Sequence, residues 1–421
     1  MTLLGERRAN AILGQMVGPN TVAATRNPLA HTDNDIVVVA AVRTPVCRAK
    51  RGAFATTSAT TLLTTALKGV LEKSKIDPAL IDDVCVGSVL APGSTRANEV
   101  RIASYLAGLP TSTSVRTVNR QCSSGLQAIA DIAAAIQAGY IKIGIGAGVE
   151  SMSTDSMTFG GKIDLGAKKH PVARNCLIPM GITSDNVAKQ FSVDRKSQDE
   201  LAAMSHARAA KATASGKFKE EIIPVATEIV NPKTGVAVSA VVDKDDGIRK
   251  ETTVEGLAAL KPVFTKDGTT TAGNSSQVSD GAAATLLMSR GTAKKLGLKV
   301  LGSLRSFAVA GVPPEIMGVG PAYAIPKAVK QAGLDLSQID LFEINEAFAS
   351  QATYCVKKLG LSWDKVNVNG GGIALGHPLG CTGSRMTATL LHEMGRRKAK
   401  YGIVSMCIGS GMGAAAVYER E

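Results

Sequence analysis

The sequence predicts an α/β protein made of two similar halves, each a sheet covered by helices. Three observations carry that reading. Apolar runs of strand length alternate with longer amphipathic stretches, as repeating βα units require. Glycine supplies 43 of 421 residues, above the usual share of about 7%, which suits many tight turns. One order of elements also occurs twice: strand, reactive loop, helix, strand, glycine-rich turn.

Polar and small residues dominate from Gly18 to Asn34, so residues 1–32 are read as a segment separate from the folded body. Within it, GERRANAILGQMVG is short, basic and amphipathic, which suits an address signal. IVVVAAV (Ile36–Val42) is the first strand. VCVGSVL, with Cys85 as its second residue, and IKIGIGAGV, ending at Val149, read as buried strands. VRTVN (Val115–Asn119) between them is extended. SGLQAIADIAAAIQAGY then places Leu126, Ile129, Ile132, Ala133 and Ile136 on one helical stripe. Cys122 thereby falls at a strand-to-helix turn, where a helix N-terminus and the neighbouring Arg120 are expected to favour a thiolate.

Residues from about 155 to 270 carry more charge and fewer apolar runs, which reads as an insertion laid over the scaffold. A helix is expected at DRKSQDELAAMSHARAAKATASG, with Ser197 and Glu200 at capping-box spacing. The α/β pattern resumes at DGAAATLLMS (Asp280–Ser289). In the last third, IDLFEI is a strand leading into NEAFA (Asn345–Ala349), and VNVN (Val366–Asn369) is another. GGGIALGHPLGCTG is a loop, SRMTATLLHEM a helix, and YGIVSMC a strand running into GSGMG.

Composition narrows the function. Hydrophobic residues at 45% and charged residues at 20% are ordinary for a globular protein. Aromatic content of 4%, with the single Trp363, argues against a base-stacking nucleic-acid surface. The net charge of +13 is scattered rather than blocked, as at Arg48, Lys50, Arg51, Lys168 and Lys169, which favours a phosphate-bearing small ligand over nucleic acid or membrane, while charge alone fits a plain basic soluble surface equally well. Seven cysteines lie far apart with no CxxC pair, which speaks against zinc and for a reducing compartment. No uncharged apolar run reaches the roughly 18 residues of a membrane span.

The chemistry concentrates in three glycine-rich settings: Cys122 in VNRQCSSGLQAI, His377 in NGGGIALGHPLG and Cys407 in VSMCIGSGMGAA. Most lone cysteines are small core residues, but the polar flanks Arg120-Gln121 and Ser123-Ser124 are unlike core packing. A thiol can attack a carbonyl, an imidazole can take its proton, and a second thiol can shuttle another. Glycines beside them free backbone N–H groups for an oxyanion. Glu346 is either a base or an inward structural carboxylate. The run Gly144, Gly146, Gly148 is not a dinucleotide site, because it lies in a strand and lacks the glycine and helix that should follow.

VNRQCSSGLQAI, NEAFASQ, NGGGIALGHPLGCTG and CIGSGMGAAA resemble the thiolases, over roughly Asp35 to Glu419. NRQCSSG is similar to the degradative branch. The resemblance implies two α/β halves stacked as a five-layer αβαβα core with an inserted loop domain. The halves are then 33–155 with 271–298, and 299–421, with the loop domain at 156–270. It implies Cys122 as the acylated nucleophile, His377 as its base and Cys407 as the second acid/base. Asn345, through a water shared with His377, forms one oxyanion hole, and the N–H groups of Cys122 and Gly409 form the other. Ser276 is implied as a coenzyme A contact, and Met180 and Met317 as the lining of the acyl pocket.

The implied reaction cleaves 3-ketoacyl-CoA with coenzyme A as co-substrate and no other cofactor, in a homodimer. RANAILGQM (Arg8–Met16) resembles the nonapeptide peroxisomal signal, with Ala9 and Met16 departing from it. An import receptor reading residues 8–16 is therefore expected, with the mitochondrion as the alternative destination. The rivals are acetoacetyl-CoA formation by the same site and a non-catalytic acyl-CoA-binding protein; the latter has no need of a thiolate. Cys122 is expected to alkylate fastest of the seven thiols.

Overall fold

The computed structural model describes residues 31–91, 95–155, 157, 162–230 and 234–421. The expected address signal at Arg8–Met16 lies outside the described residues.

The described residues form twelve strands: β1 (Ile36–Arg43), β2 (Cys47–Arg48), β3 (Asp83–Gly87), β4 (Ser114–Val118), β5 (Ile143–Ser151), β6 (Val225–Val230), β7 (Ala237–Val242), β8 (Ser279–Ser289), β9 (Gly302–Gly311), β10 (Leu341–Ile344), β11 (Tyr401–Ile408) and β12 (Met412–Arg420). The longer helices are α1 (Ala59–Ser74), α2 (Thr95–Leu106), α3 (Ser124–Gln137), α4 (Met180–Gln190), α5 (Arg195–Ala214), α6 (Gly320–Gln331), α7 (Ala349–Lys358) and α8 (Thr382–Arg397).

The repeat expected from sequence is visible in the strand order. The first half runs β4-β3-β5-β8-β1 across the sheet and the second β10-β11-β12-β9. In the first half β3 lies beside β5 in parallel and β5 pairs antiparallel with β8; in the second β10 lies beside β11 in parallel and β11 pairs antiparallel with β12. Antiparallel pairings of Val37 with Ser303 and Val38 with Gly302 join the two halves edge to edge.

Burial sorts the elements into layers. α1 packs its Leu62, Leu63, Leu67 and Val70 on one face of the first half's sheet. Leu126, Ile129 and Ile132 of α3 share a core with Met386, Leu390 and Met394 of α8, and with residues from both halves' strands. α6 covers the outer face of the second half with Ile325 and Val329. Helix, sheet, paired helices, sheet, helix is the five-layer arrangement, with α3 and α8 back to back in the middle. The stripe Leu126, Ile129, Ile132, Ala133 and Ile136 is buried as expected.

Two expectations are corrected. VNVN forms no strand; only Val366 pairs, in an isolated bridge to Phe342. Asn367 turns into the left-handed region at φ 45°, which asparagine tolerates, and its side chain replaces the ladder. Its Oδ1 accepts from Ile344 N–H at 2.9 Å and its Nδ2 donates to Ile344 O at 2.8 Å. That bridge sits in the place β4 takes in the first half, so the repeat survives in reduced form.

The cap of α5 is Asp194, not Ser197. The Asp194 carboxylate accepts from Ser197 N–H at 2.7 Å and from the Ser197 hydroxyl at 3.1 Å, while Glu200 faces Lys196 at 3.8 Å. A carboxylate one turn earlier satisfies the free N–H groups first.

Candidate active site

Cys122 sits where the chain leaves β4 and enters α3. Gln121, just before it, is held at φ 47°, in the left-handed region a non-glycine residue rarely adopts. The turn is tied on both sides. Gln121 N–H donates to Asn119 Oδ1 at 2.9 Å, while the Ser124 hydroxyl accepts from Arg120 N–H at 2.9 Å and donates to Gln121 O at 2.6 Å. The thiol is half-buried. Burial pushes it up to about 11, against the opposing pull of the Gly409 N–H and its own N–H. The expected thiolate is therefore corrected to a resting thiol; desolvation outweighs the helix terminus, and Arg120 is not among the groups that lower it.

His377 is brought to the site by close packing of backbones. Gly125 at the start of α3 lies so near the loop before α8 that a Cβ there would meet Gly380 O at 2.6 Å and Ser384 N at 2.9 Å. From the other side, a Cβ on Gly383 would meet Leu126 N at 2.3 Å. Buried Glu150 at the end of β5 fastens the same loop, accepting from Gly380 N–H at 2.9 Å and Val89 N–H at 2.9 Å. The run Gly144, Gly146, Gly148 also serves this packing: a Cβ on Gly146 would meet Ile129 Cα at 2.6 Å.

The His377 ring is buried at 5% exposure, and burial followed by the charge of Arg385 pushes it down to about 3. It is a neutral imidazole. The Thr382 hydroxyl donates to Pro378 O at 2.9 Å and lies 2.6 Å from Nδ1. A hydroxyl has one proton, so the proton of the second contact belongs to Nδ1. That assignment leaves the lone pair on Nε2, which Asn345 Nδ2 approaches at 3.3 Å. The contact is long against the usual range of about 2.7–3.2 Å, so the lone pair is only weakly engaged. Gln277 O accepts from His377 N–H at 3.0 Å, and Gln277 Nε2 donates to Gly247 O at 2.8 Å and Ile373 O at 3.0 Å. Gln277 thus ties the His377 loop to the insertion.

Cys407 lies near the end of β11, fully buried in a small cluster with Met317, Ala347, Met180 and Phe348. Burial, followed by the neighbouring Cys122 sulfur, holds its thiol well above the ordinary value. It donates to Gln351 Oε1 at 3.0 Å. Gly409 follows at the head of the β11–β12 turn, where a Cβ would meet Met180 Sδ at 3.6 Å and Gln121 Cγ at 3.9 Å.

Cys122, Gly409, Met180, Met317 and Cys407 gather in one place, and Asn345 meets His377. Ser276 is anchored beside them, its N–H donating to Ala347 O at 2.9 Å. Glu346 resolves to the structural alternative. Its buried carboxylate accepts from Ser205 Oγ at 2.6 Å, Asn367 Nδ2 at 2.8 Å and Ile373 N–H at 3.2 Å.

Thr382, Gln351 and Glu150 were missed. Thr382 and Gln351 stand inside the quoted motifs GHPLGCTG and NEAFASQ, but nothing local says that they face the reacting groups. Cys176 is exposed, Cys122 half-buried and the other five cysteines buried, so Cys176 is the thiol that competes with Cys122 for a small alkylating agent.

Residues 36–291 match the thiolase N-terminal domain family and residues 298–420 the thiolase C-terminal domain family. The chain belongs to the thiolase family. It is 61% identical to the Arabidopsis thaliana protein named 3-ketoacyl-CoA thiolase 2, peroxisomal, over 92% of this chain and 84% of that one. The dimeric peroxisomal thiolase of Saccharomyces cerevisiae superposes with a TM-score of 0.87 at 46% identity, covering 94% of this chain and all of that one. A second structure of the yeast peroxisomal 3-ketoacyl-CoA thiolase is described as a five-layered structure of two core domains of identical topology. It aligns at a TM-score of 0.77 and 43% identity, over 93% of this chain and 100% of that one. The thiolase fold and its repeated halves match the layers described above.

Proposed function

We propose that Cys122 carries an acyl group as a thioester, with His377 as its base and Cys407 as the second acid/base. The reaction is thiolytic cleavage of 3-ketoacyl-CoA by coenzyme A to acetyl-CoA and a shortened acyl-CoA, the last step of fatty-acid β-oxidation. It runs in the peroxisome. The observations that support the residue roles are a Cys122 thiol held by burial against the pull of its own N–H and that of Gly409, and a neutral His377 ring with its proton on Nδ1 and its Nε2 lone pair only weakly engaged.

As the substrate's 3-keto carbon approaches, Nε2 takes the Cys122 proton and Sγ attacks the carbon. The N–H groups of Cys122 and Gly409, which act on Cys122 Sγ, receive the developing oxyanion. Asn345 Nδ2 and the protonated His377 ring serve the oxygen of the acetyl-CoA side. The Cα–Cβ bond breaks, and Cys407 gives its proton to the enolate carbon. Coenzyme A then enters, loses its thiol proton to Cys407 and attacks the acyl-Cys122 thioester, while His377 returns its proton to Cys122. Met180 and Met317, packed beside Cys407, line the acyl pocket, and Ser276 contacts the pantetheine arm.

The division into halves at 33–155 with 271–298 and 299–421, around a loop domain at 156–270, belongs to the same reading. Coenzyme A enters as a substrate. The chain pairs as a homodimer, in line with the dimeric yeast relative, and an import receptor is proposed to read residues 8–16. Among the described residues no helix is long and apolar enough to cross a membrane.

The deciding experiment is coenzyme A-dependent cleavage of 3-ketoacyl-CoA substrates across chain lengths, with Cys122→Ala alongside. Medium and long chains should be cleaved, and the variant should lose at least about 10³-fold in kcat. Activity confined to acetoacetyl-CoA would move the chain to the condensing branch. A Cys122→Ala protein as active as the wild type would remove the covalent mechanism.

A further inference from the structure

Among the described residues, Gln351 is the one polar side chain hydrogen-bonded to the Cys407 thiol. It stands in the first turn of α7 at 1% exposure, and its backbone approach is fixed by Gly318, where a Cβ would meet Gln351 Cβ at 2.6 Å. Its Oε1 accepts from Cys407 Sγ at 3.0 Å, while its Nε2 is buried with no hydrogen-bond partner among the described residues. An unpaired buried amide NH₂ is costly, and such a group in a functional site calls for a physical reason.

Cys407 has two protonation states in the reaction. As a thiol it is a donor and needs an acceptor. Once its proton has gone to the enolate carbon it is a thiolate and needs a donor. The groups packed on it are Met317, Ala347, Met180 and Phe348, with the sulfurs of Cys122 and Cys355 nearby. Its own backbone N–H acts on the sulfur, and none of the other groups supplies a positive charge. A carboxamide carries an acceptor and two donors at the same radius, exchanged by a half-turn about the Cγ–Cδ bond.

We propose that Gln351 is a positioning residue that serves both states of Cys407: Oε1 accepts from the thiol, and the otherwise unpaired Nε2–H group turns to donate to the thiolate. The proton itself passes from Cys407 Sγ to the α-carbon of the acetyl-CoA enolate and is later restored from the thiol of coenzyme A; Gln351 neither gains nor loses one. The inference rests on the thiolase reading and deepens it, because Cys122 alone would account for acyl transfer but not for enolate protonation.

The test separates the two thiols. Deuterium exchange into the methyl group of acetyl-CoA, followed by NMR in D₂O, reports Cys407, and iodoacetamide labelling of Cys122, read by mass spectrometry, reports the nucleophile's surroundings. Gln351→Met, which keeps length and bulk, is expected to lower exchange and the kcat of thiolysis by about 10–100-fold. KM and the Cys122 labelling rate should stay at wild-type values. Gln351→Leu is the second variant should the first not fold. Exchange at the wild-type rate in either variant overturns the role, as does a fall in Cys122 labelling in step with exchange, which would mark a packing defect. A wild-type protein that neither exchanges nor cleaves overturns the thiolase reading itself, and the two failures are thereby told apart.

Discussion

Cys122 lies at the mouth of α3, where peptide dipoles favour a thiolate by about 0.3–1 kcal/mol, while its partial burial acts in the other direction. A thiol pushed up to about 11 is displaced by more than the dipole can offset, since each pKa unit corresponds to about 1.4 kcal/mol. His377, pushed down to about 3, stays neutral through the physiological range. The resting groups are therefore a thiol and a neutral imidazole. Iodoacetamide should label Cys122 at a rate rising about tenfold per pH unit from 7 to 9, following the thiolate fraction. A rate independent of pH between 6 and 8 would mean a preformed thiolate–imidazolium pair and would overturn this assignment. The sequence named both side chains, because cysteine in NRQCSSG and histidine in GGGIALGHP are chemically conspicuous. Their titration was not legible there, because it depends on burial by segments hundreds of residues away.

Among the elements, α3 and α8 decide how close the two reactive loops come. Gly125 and Gly383 let these helices approach to backbone contact, and a methyl group at either has no flexible neighbour to push aside. Gly383→Ala should destabilise the protein by about 1–3 kcal/mol or more and reduce activity, because the Cβ would meet Leu126 N at 2.3 Å. Gly395 in the same helix has nothing within 4 Å of a built Cβ. Gly395→Ala should therefore stabilise by about 0.5–1 kcal/mol. Urea denaturation of the two variants checks the contrast; equal effects would refute the close-approach argument. Sequence periodicity found both helices, but it could not tell a glycine that admits another backbone from one that merely sits on the surface.

Over the whole molecule, buried polar groups bind the insertion to the scaffold. Arg43 at the end of β1 is fully buried and reaches Glu221 at 2.6 Å and Asp245 at 2.6 Å and 3.0 Å. Glu221 also accepts from the Thr389 hydroxyl of α8 at 2.9 Å, so one cluster joins the first half, the insertion and the second half. Arg43→Ala would leave two carboxylates without their partner and should cost about 3–5 kcal/mol. The exposed pair Lys250–Glu251 at 3.5 Å should contribute less than about 1 kcal/mol. Denaturant midpoints of Arg43→Ala and Lys250→Ala measure the difference, and a mild Arg43→Ala would show that the insertion is held by other contacts.

The sequence by itself determined the α/β class and the repeat and offered the candidate reactive residues in their order, because strand and helix periodicity and side-chain chemistry are local properties. Only the tertiary structure decided that Asn367 would break a strand, that Asp194 would cap α5, that Glu346 would be structural and that Cys122 would rest as a thiol. Each of those outcomes turns on which groups from distant segments share one desolvated space, and no local pattern encodes that.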